Sequence, residues 1–264
     1  MDTPYWLRQI DKPLFPELEW SRPETRTQAG RLLIVGGNGY EFKVPANAYG
    51  DALDAGIGTA TVLLPNSMQR VVSDIFPEAE FAPSTPSGSF ARASLAPMLD
   101  LATRANGVLL AGDIGRNSET TVLIETFLQK YQGQATLTKD AADVFVQQPL
   151  SLLHRPDTLL VLAMGQLRQL GTAARFPRAF TTGMDLAQLV ESLHEFTGSF
   201  PLAVITKHQG QYVIAVSGQV STTQDETDTT VWRLLVSAHA SVWWLQNPSK
   251  TLESLSTAVY MIKK

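Results

Sequence analysis

The 264-residue sequence contains no cysteine, which excludes disulfides, a thiol nucleophile and any thiolate-held metal. Histidine is almost as scarce. His154, His194, His208 and His239 lie far apart in the chain, unlike the closely spaced ligand pairs of a structural zinc site. Basic residues are outnumbered, 21 lysine and arginine against 25 aspartate and glutamate, for a net charge of −4. No basic stripe offers the phosphate contacts that nucleic acid demands. No run approaches the ~18 consecutive apolar residues of a membrane span, and the opening MDTPYWLRQIDKPLFPELEW lacks the basic start and unbroken apolar core of a signal peptide. The expectation is a cytoplasmic protein whose partner is neither nucleic acid nor membrane. Catalytic signatures are missing too. There is no G-x-x-x-x-G-K-[ST] loop and no G-x-S-x-G elbow, and GGNGY at 36–40 lacks the G-x-G-x-x-G spacing of a dinucleotide fingerprint.

What is present is an ordinary globular composition, 44% apolar and 17% charged, in a repeating pattern of short apolar runs and amphipathic stretches. RLLIVGG reads as a buried strand entering a tight loop, PANAYGDALDAGIG as a helix and TATVLLP as a second strand, together a βαβ unit. The pattern continues with a helix near SMQRVVSDIF, the extended segment EAEFAPSTPSGSF, a helix near SLAPMLDLATRA, the strand GVLLAG and the helix ETTVLIETFLQKY. QATLTKD and TLLVLA follow as strands, then DLAQLVESLHEFTG as a helix closed by Gly198 and PLAVITK as a strand. KHQGQ pairs with QYVIAVSGQV as a hairpin, and TTVWRLLVSAHASVWWLQN and TLESLSTAVYMIKK close the chain as helices. Alternation of this kind predicts a three-layer αβα sandwich around a mainly parallel sheet. Residues 1–29 stand apart. They set Tyr5, Trp6, Phe15 and Trp20 among four prolines, an arm too apolar to be free, which packs either on its own body or on a neighbour's.

The candidate chemistry gathers after strand ends. In GDIGRNSE, Gly112 and Gly115 allow backbone amides to approach an anion at a helix start, and Arg116 and Asn117 add a charge and a donor. A plain capping turn explains the same residues. LTKDAAD puts Lys139, Asp140 and Asp143 just past another strand, placed to hold magnesium through water or face a substrate hydroxyl, or merely to cap and solvate a helix. Asp225, Glu226 and Asp228 precede a helix, where the macrodipole alone accounts for acidic residues.

GRLLIVGGNGYEFKVPANAYGDALDAGIGTATVLLP resembles the opening of the ADP/ATP-dependent NAD(P)H-hydrate dehydratases, a carbohydrate-kinase-like branch of the ribokinase-like superfamily. The strand into Gly-Gly, the loop tyrosine Tyr40, the alanine-rich helix and Ala-Gly-x-Gly before Pro65 fall in the family's order. Further on, GVLLAGDIGRN resembles its strand into Gly-Pro-Gly-Leu-Gly, LTKDAAD its Asp-Ala-Asp-Ala-Leu, and Lys207 in PLAVITKHQGQYVIA the lysine of its Lys-Gly. The likeness runs from about Gly30 to Ile262. It implies a single ribokinase-like domain over 30–264, a homo-oligomer, and a nucleotide, ADP or ATP with Mg2+, phosphorylating hydrated nicotinamide cofactor before phosphate is eliminated. It also implies Gly112, Gly115, Arg116, Asn117, Lys207, Thr222 and Thr223 as nucleotide or phosphate contacts, and Asn38, Gly39 and Tyr40 as substrate contacts.

The family's chemistry needs a Gly-x-Gly-Asp helix entrance, glycine amides for the phosphoryl group and an aspartate as base. Here that entrance reads DETDTTVWRLLVSA without a glycine. Helix register puts the family's aspartate near Arg233 or Leu234, and Leu162, Ala163 and Met164 replace its Thr-Pro-His. Loss of the donors costs about 10²-fold or more, and loss of the base about 10²- to 10⁴-fold more. The expectation is a divergent, catalytically degenerate protein that still binds a nucleotide or nicotinamide-type small molecule. The alternatives are an active dehydratase or small-molecule kinase using Asp228 or Asp140 as replacement base, and a structural homo-oligomer.

Overall fold

A computed structural model describes residues 3–147, 149–225 and 232–262. Its strands are β1 (Trp6–Gln9), β2 (Arg31–Gly36), β3 (Thr59–Pro65), β4 (Ala79–Ala82), β5 (Gly107–Gly112), β6 (Gln134–Thr138), β7 (Thr158–Leu162), β8 (Leu202–His208), β9 (Gln211–Val216) and β10 (Gln219–Gln224). They form one ten-stranded sheet in the order β1-β10-β9-β8-β7-β6-β5-β2-β3-β4. Only β9 runs antiparallel to its neighbours, β8 and β10. The reason is local: Gln209-Gly210 and Ser217-Gly218 both take positive φ, at 47° and 70° and at 49° and 78°. Two consecutive left-handed residues make the type I′ turn that matches strand twist.

The parallel strands are apolar on both faces because helices cover both. Alternate residues separate cleanly. Leu33, Val35, Val108 and Leu110 pack with the helices Leu95–Arg104, Ser118–Lys130, Met164–Ala173 and Leu186–Ser199, while Leu32, Ile34, Leu109 and Ala111 pack with Lys43–Asp54 and Trp232–Gln246. Thr251–Met261 extends the second layer over β9 and β10. The αβα sandwich expected from the alternation is therefore present. No helix among the described residues is long and apolar enough to cross a membrane.

Two elements differ from their expected form, and the N-terminal arm packs on its own body. SMQRVVSDIF, between Pro65 and Pro77, forms only a 3₁₀ turn (Asn66–Met68) and a four-residue helix (Gln69–Val72). Gly198 does not close its helix, which runs to Ser199 under a capping box between Asp185 and Gln188. The N-terminal arm contributes β1, parallel to β10 with Trp6 opposite Val220. Its side chains tie it down: Trp6 Nε1 donates to Thr222 Oγ1 at 3.0 Å and Gln9 Nε2 to Thr223 Oγ1 at 3.1 Å.

At the amino ends of the strands, Arg155 is 7% exposed. Its guanidinium lies 2.6–3.3 Å from the carbonyls of Leu128, Tyr131, Gly133, Pro156 and Asp157 and from Thr158 Oγ1. One rigid fork of donors thereby joins the end of the Ser118–Lys130 helix to the starts of β6 and β7. Arg155→Met leaves those carbonyls buried without donors and lowers stability by about 3 kcal/mol in urea unfolding; Arg155→Lys, with fewer donors and no plane, recovers only part.

A second buried group of charges lies between the Lys43–Asp54 and Trp232–Gln246 helices. Burial drives His239 from its ordinary 6.5 to about 4, with Asp54 opposing the shift and Arg22 adding to it. Burial, then Asp54, lifts Asp51 from 3.8 to about 6. The two act in opposite directions. His239, depressed in the fold, stabilises above pH 6.5 and loses that contribution as pH falls toward 4; Asp51, raised in the fold, stabilises below 3.8 and loses it as pH rises through about 6. His239's share is roughly 3 kcal/mol; that of Asp51, only half buried, is discounted below it. Asp51→Asn should raise stability near neutrality and steepen its loss between pH 6.5 and 4, read by chemical unfolding across that range.

Candidate functional site

The strand order reverses where β2 meets β5: β3 and β4 lie on one side, β6, β7 and β8 on the other. Loops leaving the carboxyl ends of two such strands diverge and open a crevice, the usual ligand position in an open α/β sheet. Here the pairing shifts register between Val35 and Gly36. Two bonds stitch the diverging loops, Gly37 N to Gly112 O at 3.1 Å and Asn38 Nδ2 to Asp113 O at 2.8 Å.

The turn after β5 owes its shape to backbone freedom. Gly112, Asp113 and Gly115 have φ of 100°, 56° and 80°, values that glycine adopts freely and other residues at a cost. Asn117 then caps the Ser118–Lys130 helix, its Oδ1 accepting from Glu119 N at 2.8 Å while its Nδ2 donates to Ser87 Oγ at 3.0 Å. The STPSGSF loop packs on this helix start, where Thr120 Oγ1 donates to Phe90 O.

The turn after β6 faces the first. Lys139, also left-handed at φ 53°, reaches Asp113 with Nζ 2.8 Å from Oδ1. Asp140 turns back toward β5: its Oδ1 accepts from Asp113 N at 2.6 Å and its Oδ2 from Gly115 N at 3.3 Å. Burial nevertheless outweighs those bonds and raises the Asp140 carboxyl above the usual range, with the Asp113 charge adding to it. From the first turn of the Met164–Ala173 helix, Gln166 Nε2 donates to Lys139 O at 2.7 Å and Asp143 Oδ1 at 2.6 Å, and its Oε1 accepts from Arg233 Nη1 at 2.8 Å. Burial pulls the Arg233 guanidinium down, and Asp143 and Asp140 push it back up.

These turns border a cleft of about 560 Å³ lined by Asp113, Arg116, Lys139, Asp143, Gln166 and Arg233 among others. A second cavity, of about 510 Å³, shares Arg116, Asp140 and Asp143 and extends to Ser118 and Thr121. Both signs of charge are within reach, as suits a ligand with an anionic part and hydroxyl groups. No group of three or more His, Asp or Glu side chains that could hold a metal ion occurs among the described residues.

The structure thus brings Gly112, Gly115, Arg116, Asn117 and Asp140 together, with Asn38 behind them. Gly39 lies against Gly88, and Tyr40 stands out from the surface, 89% exposed. Lys207 sits at the end of β8, ion-paired with Asp225. Thr222 and Thr223 do not act as a pair: successive strand residues face opposite sides, Thr222 toward Trp6 and Thr223 toward Gln9. Asp228 lies outside the described residues. Gln166, which joins three segments of the site, escaped the sequence reading; its signal was its place just past the carboxyl end of β7.

Glycine substitutions separate shape from propensity. Gly50, inside the Lys43–Asp54 helix with open space at its Cα, should gain about 0.5–1 kcal/mol as alanine. A Cβ at Gly112 would meet Lys139 Cβ at 2.7 Å and Asp140 Oδ1 at 2.8 Å, so Gly112→Ala should cost about 2 kcal/mol or more. Thermal unfolding of the two variants checks both signs.

No family model matches the chain. A curated relative, the bifunctional NAD(P)H-hydrate repair enzyme of Moorella thermoacetica, is 28% identical over 149 residues, covering 55% of this chain and 28% of that protein. Solved structures extend the likeness. A ribokinase-like superfamily protein from Enterococcus faecalis superposes with a TM-score of 0.71 at 15% identity over 99% of this chain and 87% of that one. The ADP/ATP-dependent NAD(P)H-hydrate dehydratase of Bacillus subtilis, co-crystallised with ATP/Mg2+ and soaked with CoA, gives 0.59 at 13% identity over 95% and 87%. An ADP complex of Bacillus subtilis pyridoxal kinase gives 0.54 at 12% over 88% and 90%. The chain therefore has the ribokinase-like fold, and the family it resembles in sequence is that of the NAD(P)H-hydrate repair enzymes.

Proposed function

We propose that the chain is a ribokinase-like binding protein that takes a nucleotide or nicotinamide-type small molecule at the carboxyl ends of β5, β6 and β7, without the phosphoryl transfer of its relatives. One observation carries this reading. Arg233, which with Leu234 is where helix register puts the family's aspartate, is hydrogen-bonded to Gln166 and faces Asp143; neither Arg233 nor Leu234 is a base. A guanidinium keeps its proton throughout the working pH range and accepts none from a hydroxyl.

The cleft fits the ligand class by its donors. Arg116 and Lys139 line it as cations for a phosphate tail, and Asp143 offers an acceptor to sugar hydroxyls. Gly112 and Gly115 give the turn its shape, Asn117 fixes the helix start, Asn38, Gly39 and Tyr40 form the opposite loop, and Lys207 with Thr222 and Thr223 marks the far strands. Magnesium keeps most of its waters and binds through phosphates and one or two carboxylates, so Mg2+ would arrive with ADP or ATP. The solved relatives crystallised with ATP/Mg2+ and with ADP support a nucleotide.

A second reading, an active enzyme with Asp140 as base, has its own support in the raised carboxyl. Calorimetric titration with AMP, ADP, ATP, NADH and NADPH should show binding of at least one, weakened about tenfold by Arg116→Ala. Incubation with hydrated NADH, magnesium and ADP or ATP should restore none of the nicotinamide absorbance. Absence of binding by all five at millimolar concentration overturns the proposal; absorbance recovery that vanishes in Asp140→Asn replaces it with the active enzyme.

A further inference from the structure

We infer that Asp140 is a tethered anion occupying the anion-binding face of the Gly112–Gly115 turn, and that it thereby determines what the cleft accepts: phosphoryl groups are kept off the turn's amides. The amides of Asp113 and Gly115, two residues apart in a turn of mixed-sign φ, converge on one carboxylate. Converging amides of this kind form a concavity that favours negative charge. In this fold the charge comes from the chain itself.

Three features put it there. Lys139 adopts φ 53°, which turns the chain so that the next residue points at β5. Gly112 has no side chain, and a Cβ in its place would lie 2.8 Å from Asp140 Oδ1. The ion pair of Lys139 with Asp113 holds the two turns together. That pair is largely withdrawn from solvent, its side chains 25% and 21% exposed, and both of its residues hold left-handed backbone. Asp140 also borders both cavities, so an anion entering either one meets a carboxylate where it would otherwise meet amides. The ligand's anionic part is left to the Arg116 side, and the group facing the turn is neutral or cationic.

The inference rests on the reading of this cleft as the ligand site, but its test uses only inorganic and one-carbon ions, so it stands or falls apart from nucleotide binding. Asp140→Ala removes the carboxylate and opens its place; Asp140→Asn keeps the shape without the charge. Thermal unfolding is followed in chloride, formate and phosphate at equal ionic strength. Wild type and Asp140→Asn should unfold alike in all three, while Asp140→Ala should melt lower in chloride and regain several degrees in formate or phosphate. Calorimetry should show Asp140→Ala binding inorganic phosphate at least tenfold more tightly than wild type. Should Asp140→Ala not fold in chloride, its refolding yield in formate against chloride gives the same answer. Equal responses of wild type and Asp140→Ala to formate and phosphate, or no recovery of Asp140→Ala by either anion, overturn the inference.

Discussion

The functional edge of the molecule depends on a constraint of chain direction: β2 and β5 lie side by side, yet the segments that follow them must leave in opposite directions. Adjacent parallel strands can diverge like this only if the backbones separate within a residue or two of the last ladder bond. Glycines at 36, 37 and 112 permit it, and the Gly37–Gly112 and Asn38–Asp113 bonds limit how far the gap opens. The turns after β6 and β7 then close the far wall, so charged residues from segments distant in sequence share one cleft. At this end Asp113 and Lys139 hold left-handed backbone and Asp140 is a carboxyl raised by burial. The opposite ends of the strands carry the reinforcement, in the Arg155 fork and the Asn106–Arg31 bonds.

Much of this architecture is legible in the sequence because parallel strands buried on both faces must be continuous apolar runs. RLLIVGG, GVLLAG and TLLVLA could hardly be anything else, and the capping pattern at Asp185 and the Gln-Gly turn announce their elements chemically. Other elements were less visible. WLRQ is an edge strand of four residues, too short for alternation to register, and its pairing comes from a partner far away in the chain. The Met164–Ala173 helix went unread because MGQLRQLGTA has two glycines, which weaken its propensity, while its burial of Leu167 and Leu170 is a tertiary fact.

The site was legible in its parts and illegible in its connections. Gly112, Gly115, Arg116, Asn117 and Asp140 could be singled out as residues beyond strand ends, but the direction of the Asp140 carboxylate depends on the backbone of Lys139, and sequence gives no φ. Local pattern likewise could not show that Gln166 would stand between Arg233 and Asp143, since these three come from separate βα segments. The scaffold tolerates such change. With about 12–15% identity to structures of the same fold, what persists is apolar volume and periodicity, which fix packing, and not the polar residues at strand ends.

The pairing of β1 with β10 has a consequence in time as well as in space. Gln9 and Thr223 are 214 residues apart, and at about 5–20 residues per second a ribosome needs on the order of ten to forty seconds to cover that distance. Throughout this interval Tyr5 and Trp6 have been made but the surface that receives them has not. One border of the sheet is therefore assembled from two segments made far apart in time, and the early one, with its exposed aromatic rings, waits for its partner strand.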